Sequence, residues 1–88
     1  MSERHVRVGS KVGLHARPAS LFAKAVKDTG LPILIAKEGG RPVKARSVLN
    51  LLTLGAGYGE AVTLSAEGEG ADTALDELAA MLERELDD

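Results

Sequence analysis

Residues 60–86, EAVTLSAEGEGADTALDELAAMLEREL, change their periodicity once, and that change decides the fold. From Glu60 to Glu67 apolar and polar residues alternate, with Val62, Leu64 and Ala66 on one side and Thr63 and Ser65 on the other. This is the pattern of a strand buried on one face. Gly68-Glu69-Gly70 interrupts it. From Ala71 onward Leu75, Leu78, Leu82 and Leu86 recur at helical spacing with acids opposite them, so 71–86 reads as an amphipathic helix.

The same reading extends toward the N-terminus. Val48–Leu54 is expected to be a short helix, with Ser47 as its N-cap and Gly55 as its terminator. Leu31–Ala36 and Arg41–Lys44 read as two strands joined through Glu38-Gly39-Gly40. Pro42 limits the hydrogen bonding of the second strand, while Pro32 is tolerable near the start of the first. Ala19, Phe22, Ala23 and Val26, spaced i, i+3, i+4, i+7, form the inward stripe of a helix that begins at Ala16 and ends at Gly30. Arg4–Val8 alternates as a first strand. The order βαββαβα is satisfied by an α+β fold, a four-stranded antiparallel sheet with three helices packed on one face.

At 88 residues, with 44% hydrophobic and 27% charged side chains, the sequence predicts one globular domain spanning 1–88. Phe22 and Tyr58 are its only aromatics, so the core must be aliphatic. There is no cysteine and only two histidines, so no disulfide framework, thiolate nucleophile or metal site is expected, and no cofactor is implied. Neither an export signal nor a stretch long enough to span a membrane is visible, and a cytoplasmic location is the expectation. The net charge of −2 conceals an asymmetry. Residues 1–46 carry ten Lys or Arg against three acids, and residues 47–88 carry one Arg against ten acids. A basic half suits nucleic acid, a phosphorylated ligand or an acidic protein surface. The scarcity of aromatics argues against the first, because single-strand binders stack bases on aromatic rings.

Gly13-Leu14-His15-Ala16-Arg17-Pro18-Ala19 places a histidine between a glycine loop and a helix start. If Ala16 and Arg17 are the first helical residues, their backbone N–H groups lack intrahelical partners and are available to an anion. Pro18 is suited to a first helical turn because it has no N–H to leave unpaired. The partial positive charge of a helix start disfavours imidazolium, which keeps His15 neutral and nucleophilic. Arg17 adds a fork of donors with phosphate geometry. A histidine so placed can serve as a simple cap, or it can accept a phosphoryl group and pass it on.

The wording of this segment resembles the active centre of the HPr family, the histidine-containing phosphocarriers of the bacterial phosphoenolpyruvate-dependent sugar phosphotransferase system. The resemblance extends to Ala19, Phe22 and Lys24, to Arg46-Ser47, to Leu54-Gly55 and to Ser65-Ala66-Glu67-Gly68. It implies an open-faced β-sandwich and a carrier without enzymatic turnover of its own. It further implies that His15 accepts a phosphoryl group on Nδ1 from phosphorylated enzyme I, with Arg17 as its electrostatic partner, and delivers it to the A component of a sugar-specific enzyme II. The implied protein is a monomer with no nucleic acid partner and no membrane insertion.

A docking face follows from both sources. On the first helix Ala16, Ser20, Lys24 and Lys27 share a stripe with His15, opposite the apolar stripe. On the short helix Val48, Leu49 and Leu52 supply more apolar surface than one helix easily buries, and the resemblance assigns them to the partner interface. Arg17, Lys24, Lys27 and Arg46 then steer an acidic partner. Ser47 has two readings, the plain N-cap and, by resemblance, a serine that an HPr kinase/phosphorylase modifies in some bacteria. His5 receives no function. The alternatives to the sugar-system carrier are an HPr-like paralogue in a nitrogen-related or regulatory phosphorelay and, more distantly, a small nucleic-acid-binding α+β module.

Overall fold

The computed structural model describes residues 2–9, 13 and 16–84. Its elements are β1 (Ser2–Arg7), α1 (Ala16–Thr29), β2 (Leu34–Lys37), β3 (Val43–Lys44), α2 (Val48–Leu54), β4 (Ala61–Ala66) and α3 (Ala71–Glu83). The strands form one antiparallel sheet in the order β1-β4-β2-β3, so the two longest strands pair and the short β3 lies at an edge.

Register explains why only one face is covered. Val6 pairs with Val62 and Ile35 with Leu64, and all four are buried against the helices. The residues between them fall on the opposite face, where His5 pairs with Thr63 and Leu34 with Ser65. The helices fill the apolar side with Ala19, Phe22, Ala23 and Val26 of α1, Leu51 of α2, and Leu75, Leu78 and Leu82 of α3. The expected open-faced sandwich is therefore present, with all three helices on one side of the sheet.

Several element boundaries differ from expectation. The first strand begins at Ser2 and ends at Arg7. Val8 leaves the ladder yet stays buried, its N–H donating to the Glu60 carbonyl at 3.0 Å. The second strand starts at Leu34 rather than Leu31, because Pro32 has no N–H and the Ile33 N–H turns back to the Leu31 carbonyl at 3.0 Å. Pro42 shortens β3 to two residues. α3 closes at Glu83, where Arg84 is extended and its N–H donates to the Met81 carbonyl at 3.3 Å. Residues 85–88, including Leu86, lie outside the described residues.

The charge asymmetry is partly internal. Arg4, paired with Leu64 on the helix side of β1, donates from Nε to Asp76 Oδ1 at 2.6 Å and from Nη2 to Asp72 Oδ1 at 3.4 Å, which ties the basic N-terminal strand to the acidic α3. The hydrogen bond to Asp76 raises the Arg4 pKa further above its already high value. Hydrogen bonds from Ser2 and then Arg4 hold the Asp72 carboxyl below the usual carboxylate range.

Candidate functional site

Gly13 is where the chain turns toward the histidine segment. Its φ of 74° lies in the left-handed region, and a β-carbon built there would stand 2.7 Å from the Ala56 carbonyl oxygen. Only glycine fits without displacing the α2–β4 connection. That connection is itself clamped. The Gly57 N–H donates to Glu60 Oε1 at 2.9 Å, the Gly59 N–H donates to the Val8 carbonyl at 2.9 Å, and Lys37 Nζ lies 3.2 Å from Glu60 Oε2. These contacts, the Gly57 N–H first and the Lys37 ammonium second, hold the Glu60 carboxyl below its ordinary pKa.

α1 begins at Ala16, as expected, so Ala16 and Arg17 fall in the first turn whose backbone N–H groups lack intrahelical partners. His15 and the side chain of Ala16 lie outside the described residues. Pro18, at the third helical position, is fully buried and anchors the helix start to the core. Arg17, Ser20, Lys24 and Lys27 are all exposed, on the side of α1 away from Phe22 and Val26.

α2 follows Ser47, whose hydroxyl accepts the Asn50 N–H at 3.2 Å, and closes on Gly55 in the left-handed conformation. Leu51 points into the core with no exposure, whereas Leu49 is 69% exposed and Leu52 39% exposed. Val48 departs from the expected face in part, being half-buried and packed against the core. α1 packs on α2, and exposed Arg46 stands at the entrance to α2.

Two exposed side chains were missed from sequence. Leu21, 39% exposed, lies four residues after Arg17 and three before Lys24, which places it on the outward side of α1. That spacing was available to be read. Tyr58 is 65% exposed on the clamped turn, where alternating patterns give no signal. Among the described residues no three His, Asp or Glu side chains cluster as a metal centre.

The family model for the PTS HPr component phosphorylation site matches residues 2–84. The chain belongs to the HPr phosphocarrier family. It is 49% identical, over its full length and 95% of the relative, to phosphocarrier protein HPr of Streptomyces coelicolor. Its fold superposes on the crystal structure of HPr from Bacillus anthracis with a TM-score of 0.86 and 37% identity, covering 92% of this chain and 95% of that one. A regulatory branch of the same fold is also similar. Crh, a catabolite-repression protein of Bacillus subtilis seen as a swapped-domain dimer, matches with a TM-score of 0.72 and 38% identity over 93% of each chain. Membership in the HPr family supports a phosphocarrier role in the phosphotransferase system. Among the described residues no helix is long and apolar enough to cross a membrane.

Proposed function

We propose that the chain is a single-domain cytoplasmic phosphocarrier that takes a phosphoryl group onto His15 from phosphorylated enzyme I and gives it to the A component of a sugar-specific enzyme II. The observation that carries this reading is the start of α1 at Ala16, immediately after the Gly-Leu-His sequence, with Arg17 exposed beside it. The His15 Nδ1 lone pair forms the new P–N bond as the donor's bond to phosphorus breaks, and the reverse exchange discharges the carrier. The Arg17 guanidinium and the free N–H groups of the first turn offset charge on the phosphoryl oxygens. Because acceptance and donation must both be easy, an open helix end serves better than an enclosing pocket. The protein is consumed and regenerated stoichiometrically and acts as a monomer.

Docking follows from the adjoining helices. Leu49 and Leu52 supply the apolar contact, and Arg17, Lys24, Lys27 and Arg46 steer an acidic partner toward it. The likenesses to Crh and to phosphocarrier protein NPr of Shewanella violacea support a second reading, an HPr-like paralogue in a nitrogen-related or regulatory phosphorelay. Incubation with phosphoenolpyruvate and enzyme I, followed by intact mass measurement at alkaline pH, tests the proposal. One acid-labile phosphoryl group per chain is expected, absent from His15→Ala. A phosphorylated His15→Ala protein excludes the assignment, and uptake from only a nitrogen-system or regulatory donor selects the second reading.

A further inference from the structure

A groove of about 400 Å³ opens where the end of α1 meets the approach to β2, at the far end of α1 from Arg17. Its floor is apolar, built on Val26, Leu31 and Ile33, of which Val26 and Ile33 are buried. Lys27 from α1, Lys44 from β3 and Arg46 from the turn before α2, all three exposed, also line it, and none of the described residues that line it is acidic. Elsewhere the basic residues Arg4 and Lys37 have acidic partners, whereas no ion pair among the described residues engages these three. Three cations lining one groove repel one another, and among the described residues no acidic side chain lines it to offset them.

We infer that this groove is a binding site for a small organic phosphate monoester with a short apolar body. The volume falls within the range of small-molecule sites. A dianionic phosphate matches three cations better than a monoanionic carboxylate does, and Arg46 offers a bidentate fork. The walls are already fixed. The Gly30 N–H donates to the Lys27 carbonyl at 3.1 Å, the Ala45 N–H donates to the Ile33 carbonyl at 3.1 Å, and the Thr29 hydroxyl bridges the Val26 carbonyl and the Leu31 N–H. Little ordering is therefore needed on binding. The C-terminal carbonyls of α1 oppose an anion, but with roughly half a unit of negative charge against three positive side chains. Val26 and Lys27 carbonyls are, moreover, already engaged. Binding itself is independent of the phosphocarrier reading. Its consequence rests on that reading: a bound phosphate cancels Lys27 and Arg46, two of the four steering cations, and weakens docking of an acidic partner.

The test is a titration of the ¹⁵N-labelled chain at constant ionic strength with n-butyl phosphate, inorganic phosphate and n-butanol. Butyl phosphate is expected to shift the amides of Lys27, Leu31, Ile33 and Arg46 saturably, at least about tenfold more tightly than inorganic phosphate. Butanol should produce no saturable shift. Lys44→Gln, outside the proposed docking face, should weaken butyl phosphate binding at least threefold while leaving the thermal transition and phosphoryl uptake unchanged. Equal affinity for the two phosphates, shifts confined to residues 17–20, or undiminished binding in Lys44→Gln would overturn the inference. A loss of enzyme I docking in Lys44→Gln would assign the groove to the partner's own acidic side chains and overturn it equally. None of these outcomes bears on phosphorylation of His15.

Discussion

The Ser47 hydroxyl accepts the backbone N–H of Asn50 at 3.2 Å, so the side chain that the family resemblance marks for phosphorylation is already part of the start of α2. Ser47→Ala should lower stability by about 1 kcal/mol, the usual cost of a lost N-cap. In a chain of this size that is a fall of about 4–8 °C in the thermal midpoint. Ser47→Asp keeps a capping oxygen and should retain the midpoint, but its charge beside Arg46 offsets a steering cation. Calorimetry and enzyme I binding on the two variants separate the roles: Ala should affect stability most, and Asp should affect docking most. Normal docking by folded Ser47→Asp would confine Ser47 to capping.

Arg17 is exposed at the helix start, and reversing its charge removes no core contact. Arg17→Glu should fold normally and slow phosphoryl uptake at least tenfold, the rate equivalent of about 1.4 kcal/mol. Arg17→Lys should recover part of that loss, because it restores the charge without the bidentate fork. Rapid-quench measurement of uptake from enzyme I provides the comparison. Wild-type rates in Arg17→Glu would remove the residue from the site.

The two leucine classes of α2 allow docking to be separated from folding. Leu49 is 69% exposed, so Leu49→Glu should leave the thermal transition in place while raising the KM for enzyme I, and Leu52→Glu should act in the same direction. Leu51 has no exposure, and Leu51→Ala should cost about 2–5 kcal/mol. Salt should weaken wild-type association as the steering cations are screened. Folded Leu49→Glu and Leu52→Glu proteins with an unchanged KM would exclude this face from the interface. Binding that ignored the leucines and followed total Lys and Arg would point instead to nucleic acid.

These properties were unequally legible in the sequence. Period change located α1, α2 and β4 closely, because Phe22, Leu51 and Leu64 recur at spacings that only one type of element satisfies. The limits of β2 and β3 were harder to read: Pro32 and Pro42 act through missing donors, whereas hydropathy registers only side chains. The starting point of α1 and the cap of α2 were visible in residue types, and so was the exposure of Leu49. Tyr58 and the groove beside Lys44 were not, because both depend on contacts between segments distant in sequence.

The clamp on the α2–β4 turn makes part of the stability depend on pH. Glu60 accepts the Gly57 N–H at 2.9 Å and lies 3.2 Å from the Lys37 ammonium, and both interactions favour its charged form. Its folded-state pKa is therefore below the unfolded value of about 4.3. A depressed carboxyl pKa contributes stability that is fully present above the unfolded value and is lost as pH falls through the folded one. Glu60→Gln keeps an oxygen for the Gly57 N–H but abolishes both the ion pair and the titration. The gap between the thermal midpoints of wild type and Glu60→Gln should consequently be widest at neutral pH and narrow on acidification. ¹³C observation of the Glu60 carboxyl should give a midpoint below about 4.3. A midpoint at or above that value, or a gap that does not change with pH, would show that the turn is held without the Glu60 charge.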